Sequence, residues 1–327
     1  MHLPLLRRAH GVTLVGVADP SPEARERAHR IGGVDTVADP VELIGRENVS
    51  AVVICARTDR HAELALAAAE SGKHFYLEKP IATSLEDGRR VVEAARRAGV
   101  LGMVGFNHRF HPLHVRARTL LGGGAIGTVE AVQTSFCEPV AVGSMPEWKR
   151  FRATGGGVLL DLASHQVDLV RWFLGDELER VEASVTSRLT EDDVARVGLR
   201  TVRGVTVAGF FSFRAGRGDH IRFFGEHGVL HLDRYAPRLE LVRTRTDVGA
   251  VRRRRIPPLW ASSSWQARKL ARPAYEPSYR RSLEAFIEAL RGGKPELPSL
   301  EDGLRSLEVV LAAEASSRVG EPVSVAG

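Results

Sequence analysis

The sequence predicts an α/β protein in two parts: a parallel sheet with helices on both faces, then an α+β domain carrying a large open, mostly antiparallel sheet. Three observations carry this expectation. Short valine-rich runs alternate with charged helical stretches as far as residue 107. After Pro112 the grammar changes, and several alternating strands follow one another. Two helical stretches close the chain.

Residues 12–18, VTLVGVA, form a short apolar run followed by Asp19-Pro20-Ser21-Pro22, which suits an inner parallel strand, and from Glu23 the pattern turns helical. The alternation continues with SAVVICA (50–56), a helix over 61–71 stopped by Gly72, and HFYLEKP (74–80). A helix over 84–97 stopped by Gly99 and the strand VLGMVGF (100–106) follow. Ser84 with Asp87 forms an S-x-x-D cap at a helix start. Ligands of such sheets sit at the carboxyl ends of the strands, which aligns Asp19, residues 56–61, Glu78-Lys79-Pro80 and Asn107 along one edge. The second part begins with a helix to Leu121 and the strand TVEAVQTSF (128–136), then a long helical segment. Next come the strands RVEASVTSRL, VTVAGFFSF, HIRFFGEHGVLHLD and RLELVRT, then helices over 278–290 and 300–319. The expected domains are 1–107 and 108–327, with 244–272 irregular enough for a mobile loop.

In a dinucleotide-binding unit an acidic residue ending the second strand hydrogen-bonds a ribose, roughly 20 residues after a glycine loop. Counting back from Asp19 puts that loop at or before Met1, and MHLPLLRRAH (1–10) reads as the tail of the first helix. The parallel sheet is thus expected to be N-terminally truncated. Roughly 15–20 residues carrying its first strand and G-x-G-x-x-G would lie upstream.

Composition narrows the function classes. A chain of 327 residues, 43% of them hydrophobic, can bury two cores. It has no run of 18 apolar residues and no secretory-type apolar start, so no membrane partner is expected and the location is expected to be cytoplasmic. Cys55 and Cys137 lack metal-ligand or redox spacing and sit in apolar runs typical of buried cysteines, which gives them no function. The net charge of +6 raises nucleic acid as a partner, but arginine is spread along the whole chain. The one dense run, RRRR at 252–255, precedes Pro257-Pro258 and reads as a solvated loop. Without stacking aromatics nearby, no nucleic-acid partner is expected.

Two clusters could carry chemistry. In HFYLEKPIATS, Lys79 follows a buried strand, where an ammonium can polarise an oxygen and stabilise an alkoxide as it forms; Pro80 holds Lys79 towards extended geometry. In GGGVLLDLASHQVDLVRWFLGD (155–176), three glycines open a helix. Asp161, His165 and Asp168 follow at intervals of four and three, on one face. A carboxylate beside an imidazole suits a general base; an exposed polar stripe and a metal site are the alternatives on spacing alone.

The set ARTDRHAELALAAAESGKHFYLEKP, GFNHRFHP, GGGVLLDLASHQVDLVRWFLG and SYRRSLEAFIEALRGGKPELPSLEDGLRSLEVVLAAEASS resembles the glucose-fructose oxidoreductase, inositol dehydrogenase and MocA (Gfo/Idh/MocA) family over nearly the whole chain. The resemblance implies a Rossmann-type domain carrying NAD or NADP, and a substrate domain whose open sheet forms a homo-oligomer interface. It also implies assistance by Lys79 at the reacting hydroxyl of a sugar, polyol or related compound, and a D-x-x-x-H pair, Asp161 and His165, with the histidine as acid/base. Thr58 and His61 match positions near the cofactor, with Asp19, Glu78, Lys79 and Asn107 as further cofactor residues. The missing glycine loop, and Arg57 where proline is frequent, are departures. Asp19 followed by proline and serine favours NAD, since a 2′-phosphate would face a carboxylate. Trp148, Arg152 and Tyr279 are substrate candidates in the variable regions 140–152 and 235–279. A glycosidase using NAD transiently and a scaffold that has lost its nucleotide site are the alternatives to a dehydrogenase.

Overall fold

The structure, a computed structural model, describes residues 2–236, 238–245, 250–256 and 276–325. The chain forms two compact units, Met1–Asn107 with Glu276–Leu304, and His108–Tyr275 with Arg305–Gly327.

The first unit runs α1 (His2–Leu6), β1 (Gly16–Ala18), α2 (Pro22–Gly32), β2 (Asp35–Val37), α3 (Pro40–Ile44), β3 (Ala51–Ile54), α4 (His61–Glu70), β4 (His74–Leu77), α5 (Leu85–Ala98) and β5 (Gly102–Val104). Ser21 caps α2 by accepting from the Ala24 amide, and Gly33 ends the helix at a positive φ of 64° that glycine adopts without strain. Ser84 caps α5 as its S-x-x-D pattern predicts, accepting from the Asp87 amide at 3.1 Å. Strands β3, β4 and β5 pair in parallel in that order, and Phe75, Tyr76 and Leu77 of β4 are fully buried, which makes it the central strand. β1 and β2 form a separate parallel pair, because among the described residues no strand hydrogen-bonds to both β1 and β3. β1 also takes only the last three residues of the apolar run 12–18.

The second unit contains α6 (Pro112–Gly122), β6 (Val129–Cys137), a π-helical turn (Leu159–Ala163) running into α7 (Ser164–Leu174), then β7 (Leu178–Thr186), β8 (Val194–Thr201), β9 (Thr206–Ser212), β10 (Gly218–Gly225), β11 (Gly228–Asp233), β12 (Arg238–Arg245), β13 (Ala250–Ile256) and, near the chain's end, β14 (Val323–Ser324). They form one sheet in the order β13-β12-β11-β10-β6-β9-β8-β7-β14, antiparallel throughout except for β6–β9. Alternation divides its faces. Val132, Thr134, Val207, Phe211, Ile221 and Phe223 are buried on the face covered by the π turn and α7, while Gln133, Phe210, Arg222 and Phe224 are exposed on the other. Arg252, Arg253, Arg254 and Arg255 are not a loop: they lie on β13, hydrogen-bonded to β12 at the sheet edge, with all four exposed. The ladder to β12 overrides their low strand propensity, and a charged edge resists pairing with another chain. The rest of the expected loop, 246–249 and 257–272, lies outside the described residues.

The chain then returns to the first unit with α8 (Pro277–Leu290) and the start of α9 (Leu300–Val319). Sequence order had assigned this stretch to the second domain; burial decides otherwise. Phe286 packs edge-on to Tyr76 at 6.0 Å, the Tyr76 hydroxyl meets Ser282 Oγ at 3.1 Å, and the Val104 amide donates to the Pro298 carbonyl at 3.1 Å. Cys137 is buried as expected, but Cys55, just beyond β3, is exposed. Among the described residues no helix is long and apolar enough to cross a membrane.

Candidate active site

In the first unit, Lys79 stands directly after β4 and is joined to Pro80 by a cis peptide bond. His61, 1% exposed, fastens this turn: its Nδ1 lies 2.7 Å from the Pro80 carbonyl and its Nε2 3.1 Å from the Ala56 carbonyl. Burial pushes its pKa down against the opposing pull of the two carbonyls, and both ring nitrogens face backbone. Its observed work is to hold the turn that carries Lys79. Thr58, also buried, opens the 3-10 turn before it. Glu78 accepts from His2 Nε2 at 2.6 Å, and the His2 ring packs on Tyr76 and Tyr279 at 5.6 and 5.4 Å. Tyr279, a substrate candidate by sequence, thus belongs to an aromatic cluster of the first unit. Asn107, 1% exposed, donates to Ser278 Oγ at 2.7 Å and ties the end of β5 to α8. Asp19 ends β1 with one carboxylate oxygen accepting from the Ser21 amide at 2.9 Å.

In the second unit the glycine triplet has a steric reason. A Cβ on Gly156 would lie 2.3 Å from the Lys149 carbonyl oxygen, and Gly155 and Gly157 have φ of 91° and 93°. The short turns carrying Trp148 and Lys149 therefore press against the helix start, held also by Thr154 Oγ1 donating to the Trp148 carbonyl at 2.6 Å. Asp161 lies inside the π turn that runs into α7 and pairs with Lys149 Nζ at 2.9 Å. Asp168, 1% exposed, takes a bidentate pair from Arg109, with Arg109 Nε 2.9 Å from its Oδ2. His165, in the first turn of α7 and 8% exposed, stacks on His108 with centroids 4.1 Å apart. Arg152, another substrate candidate, forms an ion pair with Glu314 that anchors its turn to α9. Among the described residues no group of three His, Cys, Asp or Glu side chains is placed to hold a metal ion.

The profile described as "Oxidoreductase family, NAD-binding Rossmann fold" matches residues 1–106, and that of the "GFO/IDH/MocA C-terminal domain" matches residues 114–231. The chain is 30% identical over 301 residues to myo-inositol 2-dehydrogenase of Thermotoga maritima, covering 89% of this chain and 84% of that one. The chain belongs to the Gfo/Idh/MocA oxidoreductase family. Scyllo-inositol 2-dehydrogenase (NAD(+)) of Bacillus subtilis is 28% identical, with 98% of this chain and 91% of that one covered. A probable dehydrogenase from Thermotoga maritima superposes with a TM-score of 0.80 at 28% identity, over 99% of this chain and 95% of that one.

As a Gfo/Idh/MocA oxidoreductase the chain is an NAD-dependent enzyme, and its first unit can be tested against that cofactor. The donor set fits the ribose end: the Asp19 carboxylate stands at the end of a parallel strand, fixed by the Ser21 amide. Sequence reasoning missed Arg109, Lys149 and His108; the only trace of the last was the histidine spacing in NHRFHPLH (107–114).

Proposed function

We propose that this protein oxidises a hydroxyl of a cyclic polyol or sugar, or reduces the corresponding ketone, with NAD as redox partner. The observation that carries this reading is the imidazole of His165, buried at the start of α7 directly after a glycine-opened turn bearing Asp161. The inositol dehydrogenases among its relatives support a polyol as the substrate class.

In this reading His165 takes the hydroxyl proton as general base, and returns it in the reverse direction. The Lys79 ammonium, on the turn fixed by His61, stabilises the alkoxide as the proton leaves. Asp161, with its charge matched by Lys149, accepts a hydrogen bond from a neighbouring hydroxyl and fixes which carbon reacts. Bound NAD supplies the acceptor for the carbon-bound hydride. Asp19 would hold its adenosine ribose, with Thr58, Glu78, Lys79 and Asn107 along the same strand ends. Trp148, stacked by its own Lys149 ammonium at 5.5 Å, offers an aromatic surface to a sugar ring.

The functional unit in this reading is a homo-oligomer formed through the open face of the nine-stranded sheet. Phe210 and Phe224 stand 41% and 38% exposed there, beside the charged Arg222. Light scattering should give a mass of at least two chains, and Phe210→Arg should reduce it; a monomer for the unaltered protein would contradict this. The catalytic reading is tested by offering NAD with inositol isomers, hexoses and sugar acids in turn. Reduction of NAD by one or more is expected, and a full panel without turnover, while NAD binding is demonstrated by calorimetry, would overturn it.

A further inference from the structure

We propose that His108 is a positioning residue for proton transfer at His165: its buried ring, stacked face to face on that imidazole, fixes the plane of the His165 ring and shields one of its faces from water. This rests on the reading of His165 as the acid/base group. The ring centroids are 4.1 Å apart and the planes within 16° of parallel. His108 is itself held on several sides. Phe136 of β6 lies 5.8 Å from it and 6.3 Å from His165, and the His114 ring of α6 lies 5.9 Å away, with His114 Nδ1 at 2.8 Å from the His108 carbonyl. His111 extends the cluster, 5.3 Å from His114. Each ring is therefore packed by others from the 3-10 turn Asn107–Phe110, β6, α6 and α7.

Such a stack has a chemical consequence. Burial, reinforced by the nearby His165, Arg234, His114 and His111, pushes the pKa of His108 well down, so it stays neutral while His165 gains and loses its proton. The imidazolium formed on His165 then meets a neutral aromatic face instead of a second cation. The arginine near His108, Arg234, is matched by Asp219. Water admitted beside His165 would favour its charged form and raise its pKa, weakening it as a neutral base in mildly acidic solution.

The test is an NMR titration of the His165 ring in the full chain, without ligand, its signal assigned by loss in His165→Asn. His108→Ala should raise the His165 pKa by about one unit, whereas His108→Phe, which keeps a flat shielding ring, should leave it within about 0.3 of the unaltered protein. His108→Asn carries the same expectation as the alanine variant and serves if that variant does not fold. An unmoved His165 titration in a folded alanine or asparagine variant, or an equal shift in His108→Phe, overturns the inference. His165→Asn assayed for NAD reduction with myo-inositol as probe separates the two readings: undiminished turnover there removes the acid/base role itself, while a lost turnover with an unmoved titration removes only the role of His108.

Discussion

Asp161 and Asp168 sit seven residues apart in sequence, yet the structure gives them different work. Asp168 neutralises a buried guanidinium, with side-chain exposures of 1% and 8% for the pair, so its loss strands a charge in the interior. Asp168→Ala should cost about 3–5 kcal/mol, read as a lowered urea midpoint at unchanged slope. Asp161, a quarter exposed and paired with a lysine, should cost little stability when replaced. Lys79→Ala should lower kcat/KM by about 100-fold or more with the circular dichroism spectrum unchanged, since an electrostatic partner of a developing alkoxide is removed; an unaltered kcat/KM would remove Lys79 from the reaction. Lys79, Asp161 and His165 were singled out as candidates from the sequence because each sits in a short, ordered motif. Their partners were not. Arg109 reaches Asp168 across 59 residues and Lys149 reaches Asp161 across 12, and no periodicity within one helix encodes such pairs.

At the scale of elements, sequence reasoning succeeded where local chemistry decides and failed where long-range pairing does. The Ser84 cap and the helix-stopping Gly99 follow from rules acting within one turn. The π turn at Leu159–Ala163 was invisible because a spacing argument assumes 3.6 residues per turn throughout. β13 was read as a loop because four consecutive arginines look solvated, which they are, while its ladder to β12 depends on a strand elsewhere. The glycine triplet makes a sharper prediction. Gly156→Ala forces a Cβ to within 2.3 Å of the Lys149 carbonyl, so the turns carrying Trp148 and Lys149 must shift. Activity should fall more than stability does, measured as kcat/KM beside the thermal midpoint; an unchanged kcat/KM would show that this turn does not shape the site.

For the whole molecule, buried histidines couple stability to pH. Burial holds the folded-state pKa of both His61 and His108 below the ordinary value of 6.5, so the unfolded chain binds their protons first as the solution is acidified. Their contribution is fully present above that ordinary value and is lost as pH falls below it towards the folded-state values. The slope approaches about 1.4 kcal/mol per pH unit for each histidine. Urea midpoints should therefore decline from neutral pH into the mildly acidic range, and His61→Gln should flatten the decline; a profile flat over that range would contradict it. The two-part architecture and its sheet types were readable from the alternation of elements, whereas the return of α8 to the first unit was not, since it follows from burial against Tyr76 of β4. The most direct test of the central claim, proton transfer by His165 in an NAD-dependent polyol oxidation, is the initial rate of NAD reduction by inositol isomers for the unaltered protein and for His165→Ala. A rate with at least one isomer that drops about 100-fold or more in the folded variant is the predicted result, and equal rates in the two proteins would contradict it.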